Sequence, residues 1–254
     1  MTAETALNIL YGIGIGFALG LTGGGGSIIT LPVLVYLVGE PVHEAIGTSL
    51  AIVGAIAAHG FYVQRTNVRF LSGALVGVIG IIGNVPGSML AAHVSSTALL
   101  LLFAAFMLVA AVAMLFVKIP DHVEGGTAHW IAIVIVGAVL GFLTGFLGVG
   151  GGFLIVPALV FALKFQMRYA IATSLFVIFL NTVVAILARV GSVQIDWWLA
   201  LVMFVGGMVG MIAGGALAKR LDQRKLKMIF AVFVLFVGVF TALSATHIIP
   251  IAVK

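Results

Sequence analysis

The residues best placed to do chemistry in this sequence are glycines, hydroxyls and two amides. Gly23, Gly24, Gly25 and Gly26 form one run, and Gly150, Gly151 and Gly152 another. After each run a short apolar helix is expected to begin, at Ser27–Ile28 and at Gly152–Phe153. The start of a helix offers unpaired N–H groups and the positive end of the helix dipole, and glycine lets a ligand approach that backbone closely. Together these make an anion site that needs no buried cation. Gly24, Gly25, Gly26, Ser27, Gly150, Gly151 and Gly152 are therefore expected to contact a substrate. The competing reading is tight helix packing through small residues, which suits Gly80, Gly83, Gly207 and Gly210. A nucleotide loop is excluded, because no Lys-Ser/Thr pair follows the glycines.

Two Thr-Ser pairs come next, Thr48-Ser49 and Thr173-Ser174, each sixteen residues after a proline, Pro32 or Pro157. They offer uncharged donors to a ligand, or bond back to their own helix. Asn84 and Asn181 lie in apolar runs, where an unpaired amide is costly. Each either lines the site or joins two helices. His59 could carry protons, but an interhelical hydrogen bond suits a lone histidine better. Glu40, Glu44, Asp196 and Asp222 sit only at the edges of apolar runs, so no buried carboxylate relay is expected. There is no cysteine, no metal-ligand cluster and no nucleophile paired with a base. The sequence reads as a non-enzyme without cofactor or metal.

The elements that hold these residues are set by composition. Of 254 residues, 63% are hydrophobic and 7% charged, with a mean hydropathy of +1.34. A soluble domain carries roughly 25% charged residues, so lipid must be the solvent. The net charge of +5 is spread singly between apolar runs, which marks topology rather than nucleic-acid binding. The first residues contain Glu4 and no base, unlike a signal peptide. A bilayer core about 30 Å thick needs about 20 apolar residues in a helix. Runs at 45–64, 70–92, 95–117, 169–188, 197–218 and 228–253 fit single crossings. Runs at 5–39 and 130–163 are too long for one and are broken by the glycines, so each reads as a hairpin. Trp197 and Trp198 read as interfacial anchors.

The chain also repeats itself. A shift of 125 residues lays Gly16-Phe17, Gly23, Pro32 and Thr48-Ser49-Leu50 on Gly141-Phe142, Gly148, Pro157 and Thr173-Ser174-Leu175. A shift of 127 lays Gly80, Gly83 and Gly87 on Gly207, Gly210 and Gly214. The expected fold is an all-α polytopic membrane protein of two inverted-topology repeats, 1–117 and 130–254, joined by a linker at 118–129. Each repeat is a glycine-broken hairpin plus three transmembrane helices. Inversion follows from charge: Lys219, Arg220, Arg224, Lys225 and Lys227 place one loop in the cytoplasm, while its repeat mate near His93 has no base. Ten of the twelve Lys and Arg residues then fall inside, all but Arg189 and Lys254, with both termini outside.

The segments Gly16-Phe-Ala-Leu-Gly-Leu-Thr-Gly-Gly-Gly-Gly-Ser-Ile-Ile-Thr-Leu-Pro-Val-Leu and Gly141-Phe-Leu-Thr-Gly-Phe-Leu-Gly-Val-Gly-Gly-Gly-Phe-Leu-Ile-Val-Pro-Ala-Leu resemble the doubled glycine signature of the TauE/SafE sulfite exporter family. Ala45-Ile-Gly-Thr-Ser-Leu and Ala170-Ile-Ala-Thr-Ser-Leu fit it too. The resemblance implies an inner-membrane permease that moves sulfite or small organosulfonates, usually outward. The partners expected are therefore a small anionic substrate and the lipid bilayer. The mechanism expected is secondary transport by alternating access between the repeats, and the alternative is a passive anion channel on the same scaffold.

Overall fold

The structure is a computed structural model, and it describes residues 3–91, 93–94, 96–116, 130–147, 152–188 and 194–245. Among these residues there are ten α-helices and no strand. The helices are α1 (Ala3–Thr22), α2 (Gly25–Pro32), α3 (Val42–Val63), α4 (Phe70–Ala91), α5 (Ser96–Phe116), α6 (Trp130–Leu147), α7 (Gly152–Phe161), α8 (Met167–Ala188), α9 (Trp197–Arg220) and α10 (Gln223–Ala245). Helices are what lipid demands, because each bonds its own backbone polar groups. Six of them, α1, α3, α4, α8, α9 and α10, are long and apolar enough to cross a membrane. The expected linker, Arg189, Gly150 and Gly151 lie outside the described residues.

The first glycine run does break a helix, and the chain around it shows why. Thr22 turns its hydroxyl back to donate to Ala18 O at 2.6 Å. The same oxygen accepts the N–H of Gly25 at 2.8 Å, so Thr22 both ends α1 and caps α2. Gly23 makes the turn with φ of 75°, a conformation that L side chains rarely adopt. The short helix consequently starts at Gly25, two residues before the expected Ser27. Pro32 has no N–H to give Ile28, and beyond it the ladder widens into a π-helical turn, Val33–Val38. The outgoing arm α1 has 20 residues, or about 30 Å at 1.5 Å per residue. The return arm is the shorter one, and in the second hairpin α7 has 10 residues.

Packing runs in pairs. α1 lies along α9, α4 along α6, α5 along α10, and α3 against α8. The first two pairs are held at backbone contact. A Cβ added at Gly16 would run into the carbonyl of Gly207, and one at Gly141 into that of Gly80. Gly210 meets Ile13 O in the same way, and a Cβ on Gly83 would lie 2.5 Å from Ala138 O. The packing role expected for Gly80, Gly83, Gly207 and Gly210 is the one they have. Between these pairs, α3 and α8 bury Ile52, Ile56, Ala57, Leu175 and Ile178 almost completely. At the other surface Trp197 and Trp198 are exposed, just after Asp196, whose carboxylate accepts Leu199 N at 2.9 Å and caps α9.

Candidate functional site

The first break meets the start of α7. A Cβ on Gly24 would strike the carbonyl of Gly152 and lie 2.9 Å from Phe153 Cα, so the first break rests directly on the start of α7. Ser27 donates to Gly24 O at 2.7 Å, and its Oγ faces Gly152, 2.5 Å from where a Cβ would sit. From the crossing beside them, Ser174 donates to Gly23 O at 2.8 Å and is also 2.8 Å from Ile171 O. Ser174 is completely buried. One face of α8 therefore serves both the first break and the start of α7: Ile171 and Ser174 touch Gly23, and Ile178 touches Gly152. These residues are spaced three and four apart, as one helix face requires.

Asn181 follows Ile178 by three residues and lies on the same side of α8. Its Oδ1 is buried and has no hydrogen-bond partner, which makes it an unused acceptor one turn beyond the breaks. The N–H groups of Gly24 and Gly26 find no partner among the described residues, whereas Gly25 N–H is taken by Thr22. Gly25 and Gly26 also have packing duties. A Cβ on Gly25 would lie 2.6 Å from the Phe233 ring, and one on Gly26 would lie 2.5 Å from Ile15 O.

The remaining expected residues lie elsewhere or are already engaged. Thr48 Oγ1 accepts the N–H of Asp196 at 3.1 Å, and Thr173 Oγ1 accepts that of Arg69 at 3.1 Å. Both threonines are completely buried, and each pins the residue that leads into a helix of the other sequence half. Ser49 donates to Ile46 O at 2.9 Å. Asn84 is exposed, with its amide 3.4 Å from Thr144 Oγ1 across the α4–α6 contact. His59 Nε2 is buried without a partner. Thr22 went unnoticed in the sequence, although a threonine directly before a glycine run is a recognisable cap. In the sequence Arg69 reads only as a base that marks topology and Asp196 only as an edge carboxylate; the N-cap position of Asp196, just ahead of an apolar run, could have signalled its place.

A bundle of apolar helices, six of them long enough to cross a membrane and one hairpin broken at a glycine run, fits a multi-pass membrane transporter. The sequence comparisons agree. The family model described as "Sulfite exporter TauE/SafE" matches residues 8–241, and the chain belongs to that family. It is 34% identical to a "Probable membrane transporter protein" of Xylella fastidiosa (strain 9a5c), over 89% of this chain and 90% of the relative. It is 29% identical to "Probable membrane transporter protein YunE" of Bacillus subtilis (strain 168), over 91% and 94% respectively. No solved structure matches the chain.

Proposed function

We propose that the protein is a permease for a small oxyanion, sulfite or a small organosulfonate, which it exports across the cell membrane by alternating access. The observation that carries this reading is the meeting of the first break with the start of α7 at Gly24 and Gly152, with Ser174 fastened to Gly23. Gly24 N–H and Gly26 N–H lie at this turn, which the Ser27 hydroxyl closes by donating to Gly24 O, and no Lys or Arg is among the described contacts there. A donor-rich, uncharged site favours a compact monoanion over a cation, which finds nothing to bind. It also favours a monoanion over a dianion, whose second charge stays uncompensated in a low dielectric. The binding set is Gly24, Gly25, Gly26, Ser27, Ser174 and Asn181, with Gly150, Gly151 and Gly152 from the second break.

An inverted repeat has support in paired details. Glu40 N–H bonds Leu34 O at 3.0 Å after left-handed Gly39, and Phe165 N–H bonds Leu159 O at 3.1 Å after left-handed Lys164. Those pairs sit one repeat apart, as do the two threonine pins. The helix pairing is symmetric in the same sense, since α1 on α9 corresponds to α6 on α4. The termini then lie outside, and the α9–α10 turn with its five bases lies in the cytoplasm.

The test is flux from proteoliposomes loaded with sulfite, methanesulfonate, sulfate or chloride. Sulfite or the sulfonate should move fastest, and substrate on the far side should accelerate it. Equal flux of chloride and sulfite without that acceleration would mean a channel. Movement of cations alone would end the anion reading.

A further inference from the structure

The crossing α3 packs along α9 in rungs four residues apart on each helix. Ile56 lies on Gly207, the methyl of Met211 lies on Gly60, and the Gln64 amide nitrogen stands 3.5 Å from the Cβ position of Gly215. Spacings of four keep one face of each helix in register. In the first two rungs an apolar side chain fills the space that a glycine leaves, which is ordinary close packing. The third rung puts an amide there. Gln64 is only 6% exposed. Its backbone is engaged, for its N–H donates to Gly60 O at 3.0 Å and its carbonyl accepts the Asn67 N–H at 2.9 Å. Its side-chain amide has no partner among the described residues. A buried amide without a partner is costly, and leucine or methionine would fill the same place at less cost. Packing explains the glycine and leaves the glutamine unexplained.

The Gln64 rung stands between a basic rim and the first break. On the side of the α9–α10 turn, Arg65 follows Gln64 and lies over the Tyr62 ring, 4.7 Å from its centre. Lys219 follows Gly215 by one turn of α9, and Arg168 Nη2 donates to its carbonyl at 3.4 Å. Arg65, Arg168 and Lys219 are all exposed, and the acid of this turn, Asp222, is paired with Lys225 at 3.8 Å. On the other side lies Met211, which is buried. Its sulfur is 2.8 Å from the Cβ position of Gly20, and Gly20 stands just before Thr22 and Gly23. Leu175 lies 3.2 Å from the Cβ position of Gly60, and its neighbour Ser174 holds Gly23 O. Met211 thus fills the space between the Gln64 rung and the first break.

We infer that Gln64 is a receiving site for the carried oxyanion, between the basic rim and the first break, an inference that rests on the permease reading. The rim of Arg65, Arg168 and Lys219 draws the anion in, and the amide N–H groups of Gln64 donate to one of its oxygens. Because the amide carries no fixed charge, the anion is held there and can still leave for the N–H groups of Gly24 and Gly26. The rung opens as α3 moves off α9, and the flexible side chain of Met211 turns aside. A carboxylate of the same shape would repel the anion, and a methionine of similar length would offer it nothing.

In purified full-length protein, Gln64→Met should melt at or above the wild-type temperature, because an apolar chain replaces an unpaired amide. In oriented proteoliposomes it should raise the KM for sulfite offered on the Lys219 face by about three- to tenfold, the worth of one hydrogen bond. The KM on the Asp196 face should stay as it is, and Gln64→Glu should raise the first KM further. A wild-type KM on the Lys219 face in Gln64→Met, or an equal rise on both faces, overturns the receiving site. A second readout needs no carried substrate. In Met211→Cys, within a chain that has no native cysteine, the anionic reagent sulfonatoethyl methanethiosulfonate is applied from the Lys219 face beside its trimethylammonium analogue. Each rate is taken relative to that with a free thiol. The anionic reagent should be favoured by about tenfold, and adding Gln64→Glu should cancel that preference. Equal relative rates, or a preference that Gln64→Glu leaves untouched, likewise overturn the site. Absence of sulfite flux in wild type would end the permease reading, while the reagent rates still decide whether an anion is received at Gln64.

Discussion

A hydroxyl near the start of a membrane helix can serve a ligand or the backbone, and the two Thr-Ser pairs divide these tasks by residue. Thr48 and Thr173 are committed to the N–H groups of Asp196 and Arg69. Replacing either by valine leaves a buried donor without its acceptor, at a cost of about 1–3 kcal/mol. Thr173→Val is therefore expected to lower the melting temperature while leaving substrate affinity in the remaining folded protein close to wild type. Ser174→Ala should do the reverse. It frees Gly23 from α8 at a cost of about 0.5–1.5 kcal/mol, and weakens apparent affinity by up to about tenfold through misplacement of the first break. Isothermal titration beside thermal melting separates the two, and equal effects of both variants on both readouts would refute the division. Duplication made the Thr-Ser pairs visible in the sequence. It could not say which hydroxyl goes where, because the partners stand 104, 148 and 151 residues away.

At the scale of elements, the first glycine break was legible because no apolar run of that length can be one crossing and because a glycine cluster interrupts it. The π-helical turn after Pro32 and the Thr22 cap were not, since both depend on where the ladder resets rather than on residue type alone. The structure also separates glycines that a sequence treats alike. Gly26 lies against α1, where a Cβ would sit 2.5 Å from Ile15 O and 2.8 Å from Leu19 Cβ. Gly14 has nothing within 4 Å of its Cβ position. Gly26→Val must push α2 off α1, and overpacking of this kind costs about 1–3 kcal/mol. Folded yield and melting temperature should fall as well as flux, so loss of transport in this variant does not isolate a ligand contact. Gly14→Ala should be neutral or stabilising, by up to about 1 kcal/mol from helix propensity. A Gly26→Val protein that melts like wild type would show that the α1–α2 contact yields easily and return that glycine to a purely ligand-facing role.

At the scale of the whole molecule, the repeat in the sequence and the bodies in the structure are not the same objects. The first half's α1 is bound to the second half's α9, and the second half's α6 to the first half's α4, each with backbone against backbone. Interfaces without intervening side chains have no room to slide, so the two sequence halves cannot rock apart as units. Any alternating access has to keep α1 with α9 and α4 with α6, and to move the return arms, α3 and α8 relative to those pairs. Phe17 lies with its backbone against Gly210 and Gly214, and Ala213 occupies the turn between them. Both flanks are exposed, so cysteines there can be joined by a short bis-maleimide in a chain with no native cysteine. That link should leave flux intact, because it joins parts that already move together. A disulfide between cysteines at Thr48 and Asp196, whose side chain and N–H already bond, should stop flux, because it holds α3 to the start of α9. Arrest by the first link would restore a rocking of half against half, and free passage with the second would remove movement of α3 against α9 from the transport cycle.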